Sequence, residues 1–196
     1  MATRASHILV VVGAFVAGLA IFLGVFLYAT GYLGGSVHSA VGGPFQLTGD
    51  NGKPISDATF KGKPYLIFFG YTHCPDVCPT TLFEITQVMQ ALGKDADRTA
   101  ALFITVDPER DTPAVMKDYL SNFGPHLFGA TGDLKTIEKV EREFRVYAKK
   151  VPEKNGDYSM NHSAVVYLMD KRGRFVAPFS LKRKPAESAA VLRKYM

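Results

Sequence analysis

The chain has 196 residues, 47% of them hydrophobic and 21% charged, the composition of a globular protein rather than a disordered one. That length holds one domain of ordinary size plus an appendage. The formal net charge is +5, but no basic-aromatic repeat or nucleic-acid motif accompanies it, which excludes nucleic acid as a partner.

Residues 1–7 carry Arg4, and Ile8 to Tyr28 then runs without a charge. That run is long enough to cross a hydrocarbon core of about 30 Å as a helix. It exceeds the roughly 7–15 apolar residues of a signal peptide. Neither Leu27-Tyr28-Ala29 nor His38-Ser39-Ala40 reads well as a cleavage site. The sequence therefore predicts an uncleaved transmembrane anchor over 8–28. No Lys or Arg follows it until Lys53, so the N-terminus is expected to be cytoplasmic. The rest then lies across the membrane, in the periplasm of a bacterium rather than a mitochondrial intermembrane space, since no Arg-rich, Ser-rich presequence is present.

Residues 29–43, rich in Gly and Ser, read as a flexible tether, and 44–196 as the folded domain. Arg4 is one of 23 basic residues and no acid precedes Asp50, which leaves the exposed part with 22 basic and 18 acidic residues. Lys182-Arg183-Lys184 and Arg193-Lys194 read as a solvated basic face, with an anionic lipid surface or acidic partner as the alternative.

Phe45 to Thr48 alternates as a strand, Gly49-Asp50-Asn51-Gly52 is turn chemistry, and Pro54 to Phe60 returns, giving an N-terminal hairpin. Tyr65 to Phe69 is apolar throughout, as a strand buried on both faces should be. A turn holding Cys74 and Cys78 follows, then a helix with Leu82, Ile85, Val88, Met89 and Leu92 at helical spacing, stopped by Gly93. Ala101 to Val106 is a second buried strand, parallel to the first through the helical crossover. Thr112 caps a helix whose first position is Pro113, and Asp133 caps another through Leu134, Ile137, Val140 and Phe144. Short strands are expected near Leu127-Phe128 and over Val146 to Val151. Pro152 to Gly156 is a loop, Ser163 to Met169 a strand, Arg174 to Phe179 its hairpin partner, and Pro185 to Tyr195 a closing helix. Helices alternating with buried strands predict a layered α/β domain. The cysteine pair on the first strand-helix turn makes it thioredoxin-like, with the hairpin as an extension and 107–150 as an insert.

The two cysteines admit three chemistries. A structural disulfide would close a very small loop and so contribute little. Thiol-disulfide exchange is favoured by the helix N-terminus. It is disfavoured by three intervening residues in place of two, and by Asp76 between the sulfurs, which would raise thiol pKa values. Metal binding needs at least one further soft or borderline ligand. His7 flanks the anchor, His38 lies on the tether, His126 follows Gly124-Pro125 in a loop, and His73 should point away from its neighbour Cys74. His162 precedes a buried strand at the place that faces the cysteine turn in a thioredoxin-like fold. An imidazole there completes a Cys₂His site suited to copper or zinc. A peroxide-reducing enzyme, with Thr72 and Arg110 beside one reactive thiol, is a further class, but it has no use for His162.

Gly70-Tyr71-Thr72-His73-Cys74-Pro75-Asp76-Val77-Cys78-Pro79, Asp107-Pro108-Glu109-Arg110-Asp111-Thr112-Pro113 and Asn161-His162-Ser163, in that order after an N-terminal anchor, resemble the Sco/SenC family. The resemblance implies a copper chaperone rather than an enzyme, which loads the CuA centre of cytochrome c oxidase subunit II. It implies copper, as Cu(I) and also Cu(II), held by Cys74, Cys78 and His162, with a Cys74–Cys78 disulfide when oxidised. Implied partners are the oxidase subunit, a periplasmic copper donor and a thiol reductant. The alternative within the same family is a reductase of the acceptor's cysteines, which would need Cys74 and Cys78 but not His162. Family members often carry Asp where this chain has Asn161, a change that bears on affinity rather than on ligand identity. The acidic residues of 107–111 read as a structural or partner-facing loop rather than a ligand set.

Overall fold

The structure, a computed structural model, describes residues 2–29 and 41–196 apart from Asn155. Residues 30–40 of the expected tether and Asn155 in the expected loop lie outside the described residues. The chain divides into two units, Met1–Ser39 and Ala40–Met196.

The first unit contains helix α1, Ala2–Ala29. Its described side chains begin at Val12, and large apolar ones such as Phe15 and Phe22 are exposed. Among the described residues no helix is long and apolar enough to cross a membrane. The described side chains fall short of the ~20 apolar residues a span needs. The structure thus supports a helix over 8–28 whose apolar side chains are exposed from Val12 onward, and it does not by itself show the transmembrane span that was expected.

The second unit is built on a seven-stranded sheet. In chain order its strands are β1 (Gln46–Gly49), β2 (Pro54–Ser56), β3 (Tyr65–Gly70), β4 (Ala100–Thr105), β5 (Leu127–Thr131), β8 (Val166–Met169) and β9 (Phe175–Pro178). Their spatial order is β2-β1-β5-β4-β3-β8-β9. A separate ribbon pairs β6 (Ala148–Pro152) with β7 (Tyr158–His162). β3 and β4 are parallel in register Tyr65↔Ala100 to Gly70↔Thr105, and every residue of both is buried. Their continuous apolar sequence is what a strand covered on both faces requires. β8 pairs antiparallel with β3, and β9 antiparallel with β8 at the sheet's edge, the mixed α/β arrangement of a thioredoxin-like fold.

The helices form as the periodicity and caps dictate. α2 (Val77–Leu92) buries Leu82, Ile85, Val88, Met89 and Leu92 and ends at Gly93, whose φ of 58° is a left-handed conformation natural to glycine. α3 (Pro113–Leu120) has Pro113 in its first turn, and Thr112 Oγ1 accepts from Val115 N. α4 (Leu134–Glu143) is capped by Asp133, which accepts from Thr136 N at 3.0 Å. α5 (Pro185–Arg193) closes the chain.

Two expectations need correction. β5 stands inside the main sheet, parallel to β4 and paired on its other side with the hairpin strand β1. Of the stretch 107–150 read as an insert, α4 and the start of the ribbon lie outside that sheet, whereas β5 belongs to it. The strand expected over 163–169 begins only at Val166, and His162 instead ends β7. β7 carries Ser, Asn and His and buries no residue fully, so it lacks the apolar alternation by which a strand is recognised.

Candidate metal centre

β3 delivers the chain from the core to the cysteine turn. At its last residue, Gly70, an added Cβ would lie 2.7 Å from both Cys78 Sγ and the Phe103 ring, so only glycine lets the backbone pass this close. Cys74 N donates to Tyr71 O at 3.3 Å and closes the turn. α2 begins at Val77, which places Cys78 in its first turn. The Asp76 side chain does not cap the helix; instead Cys78 N donates to Cys74 Sγ at 3.4 Å.

His162 enters from the ribbon. Its Nδ1 lies 3.1 Å from Ser163 O, and because a carbonyl only accepts, Nδ1 carries the proton and Nε2 presents its lone pair. That Nε2 is 3.4 Å from Cys78 Sγ. Ser163 is itself fixed, its N donating to Tyr147 O at 2.9 Å and its Oγ accepting from Tyr147 N at 3.1 Å. The imidazole packs edge-on to Tyr71 and Phe68.

Cys74 Sγ, Cys78 Sγ and a ring nitrogen of His162 lie within 4.8 Å of one another. Metal-sulfur and metal-nitrogen bonds of about 2.0–2.3 Å span such separations with little movement. Both cysteines are free and buried. Burial pushes the Cys78 thiol well up and holds the His162 imidazolium below its ordinary pKa. In the metal-free protein at neutral pH, Cys78 is therefore a thiol donating toward a neutral imidazole. Asp76, which was expected to raise the thiol pKa values, is exposed and has no part in the shift at Cys78; desolvation does that work.

His38 and the His7 side chain lie outside what the structure describes, and the other two histidines, His73 and His126, stand apart from this group. His73 is exposed and sits 3.0 Å from Thr72 Oγ1 through Nδ1. His126, placed in a loop by the sequence, is half-buried and faces Asp97 at 3.9 Å. Thr72 and Arg110, considered for peroxide chemistry, are both bound into hydrogen-bonded networks.

Those networks are the part of the site that sequence reasoning missed. Asp111 is fully buried and accepts from Thr72 N at 3.0 Å, Thr72 Oγ1 at 2.6 Å and Thr105 Oγ1 at 2.6 Å. It thereby ties the cysteine turn to the end of β4. Burial raises its carboxyl pKa, against the donors that lower it. Asp107, also buried, accepts from Tyr158 Oη at 2.8 Å and from Arg110 Nε. Arg110 Nη1 donates to Tyr158 O at 2.9 Å, and its guanidinium stacks 3.8 Å over the Tyr158 ring. One loop, 107–111, therefore moors the cysteine turn through Asp111 and the histidine ribbon through Asp107 and Arg110. Of the two roles expected for these acidic residues, structural or partner-facing, the contacts of Asp107 and Asp111 are structural, and none of the three belongs to the metal-ligand group.

Among known proteins, the SCO1/SenC family model matches residues 34–196. A SCO2-like protein of Rickettsia prowazekii is 41% identical over 143 residues, covering 72% of this chain and 70% of that protein. The structure of Bradyrhizobium japonicum ScoI with copper bound superposes with a TM-score of 0.78 at 65% identity, over 80% of this chain and 99% of that one. Yeast Sco1 with copper bound gives 0.73 at 33% identity, over 80% and 88%.

Proposed function

Since this chain belongs to the SCO1/SenC family, we propose that it is a copper chaperone which holds Cu(I) through Cys74, Cys78 and His162 and hands it to the CuA centre of cytochrome c oxidase subunit II. The observation that carries this reading is the convergence of two sulfurs and an imidazole lone pair within 4.8 Å, a soft donor set with too few ligands to close a tetrahedron. Relatives with this fold have been solved with copper bound. Copper is here the cargo. Three ligands at a helix N-terminus leave a direction from which an acceptor thiolate can enter, so that transfer proceeds by ligand exchange. Loading displaces the Cys78 proton and requires both cysteines reduced. Oxidation of the pair to a disulfide by a partner's disulfide, which is itself reduced, would remove both sulfur ligands.

The imidazole facing Cys78 favours metal binding over dithiol exchange as the main activity, since a metal site uses that third donor and exchange has no need of it. We place the domain in the periplasm, tethered by residues 8–28 with the N-terminus cytoplasmic. Support comes from the uncharged run Ile8–Tyr28 and from the position of Arg4 before it.

The test is an anaerobic Cu(I) titration of reduced residues 40–196 against a competing chelator, beside His162→Ala. This unit contains the hydrophobic core found among the described residues, and the match to the ScoI structure covers 80% of this chain and 99% of that one. One tight equivalent, weakened at least tenfold by the substitution, is expected. Binding indifferent to His162 would overturn the Cys₂His site.

A further inference from the structure

The three central strands carry the metal centre at one end and a cluster of cations at the other. Gly70 and Thr105 end β3 and β4 at the cysteine side, where β8 begins. At the opposite end, Lys61 and Lys63 precede β3, Arg98 precedes β4 and Lys171 follows β8. These four side chains line an open concavity of about 420 Å³, with Asp97 as the acidic side chain of the lining and Met196 at its edge. By strand length the two ends are about 20 Å apart.

The cations are held, not scattered. Gly62, at φ 92°, donates its N–H to Lys171 O at 2.9 Å, which pins the Lys61-Gly62-Lys63 turn against the Asp170–Gly173 turn. Thr99 Oγ1 donates to Pro64 O at 2.8 Å and brings Arg98 to the same place. Lys61 and Arg98 have carboxylate partners on their own segments, Asp57 at 3.8 Å and Asp95 at 3.2 Å. Among the described residues, Lys63 and Lys171 form no salt bridge. The concavity is therefore lined by two lysines, from segments joined through their backbones, that form no salt bridge among the described residues.

We propose that this concavity binds the phosphate of anionic membrane lipids, so that the domain rests on the bilayer by its basic end with the Cys74–Cys78–His162 centre turned away from the surface. The proposal deepens the membrane-tethered reading above, on which its setting rests. An anionic lipid surface presents phosphates at the spacing of its headgroups to an open cationic face, and each cation near such a surface strengthens binding about fivefold. The earlier sequence pairing of Lys182–Lys184 with Arg193-Lys194 as one face does not hold. Pro178 at the end of β9 pairs with Tyr167 near the start of β8, so the chain leaves the sheet toward the metal end before Lys182. Arg193 instead lies at the other end of α2, donating to Ala91 O and Leu92 O.

The test is co-sedimentation of residues 40–196 with vesicles of equal phosphatidylglycerol and phosphatidylcholine, beside pure phosphatidylcholine. Binding to the anionic vesicles alone is expected, with Lys63→Ala/Lys171→Ala weaker by about 25-fold at low salt. Lys182→Ala/Lys184→Ala should stay within about twofold of the parent on the same reasoning. Equal loss in both double variants, no binding by the parent, or displacement by inorganic phosphate beyond that of a matched chloride concentration would each overturn the proposal. The last would mark a soluble-phosphate site. Cu(I) affinity of Lys63→Ala/Lys171→Ala should equal the parent's, which keeps this outcome separate from that of the copper titration.

Discussion

Replacing Gly70 with alanine puts a methyl carbon 2.7 Å from Cys78 Sγ and 2.7 Å from the Phe103 ring. Non-bonded carbon contacts settle near 3.5–4.0 Å, so about 0.8 Å or more must be found on each side. Phe103 cannot supply it cheaply, being 1% exposed and stacked on Phe68 at 5.9 Å. Overpacking of this kind costs about 1–3 kcal/mol. The remainder falls on Cys78, whose sulfur is 3.4 Å from His162 Nε2, and moving a ligand's support typically weakens metal affinity about 10- to 100-fold. Urea unfolding of the metal-free domain reads the first effect, and anaerobic Cu(I) competition reads the second. Adding Phe103→Leu to Gly70→Ala removes the ring's side of the clash and leaves the sulfur's, so copper binding should stay weak relative to Phe103→Leu alone. Gly70→Ala with parental stability and parental Cu(I) affinity would refute this account of why the strand ends in glycine.

Two further outcomes follow from groups around the same centre. Tyr158→Phe removes the donor to Asp107 Oδ1 and should cost about 1–3 kcal/mol through the unsatisfied buried carboxylate. Amide exchange in the ribbon 148–162 should accelerate more than exchange in β3 and β4, and uniform acceleration would contradict a latch. Copper affinity should rise with pH. The folded Cys78 thiol lies above its ordinary value and is protonated across the neutral range, so each Cu(I) bound expels at least its proton. His162 is depressed and already neutral there, so it adds none. Between about pH 7 and 8, log K should climb by at least one per pH unit, and a flat profile would show that Cys78 does not ligate as thiolate.

Much of the fold was legible because its signals are local. The unbroken apolar runs of β3 and β4, Thr112 before Pro113, and Asp133 before a helical stripe each announce an element within a few residues. The ribbon was half-seen: the strand after Val146 was expected, but its partner Tyr158–His162 was not, since neither strand buries a residue fully and Tyr158 is held by Arg110 and Asp107 about fifty positions away. His162 was identified through its place relative to the cysteine turn, and that survived the shift of the following strand's start to Val166. The mooring of Thr72 to Asp111 had no sequence signal, because a Thr and an Asp 39 residues apart share no motif that marks a contact.

The loop 107–111 has a consequence for how quickly the centre can be refilled. Because the cysteine turn and the histidine ribbon are each fastened to it independently of any ion, the three donors keep their spacing once the cargo has left. The ordering cost is met when the chain folds, and an arriving ion meets a finished cradle. A carrier that had to reassemble its ligands after every delivery would turn over at the pace of that rearrangement. In the copper-carrier cycle proposed for this chain, the pace would instead be set by the exchange of bonds at the metal itself.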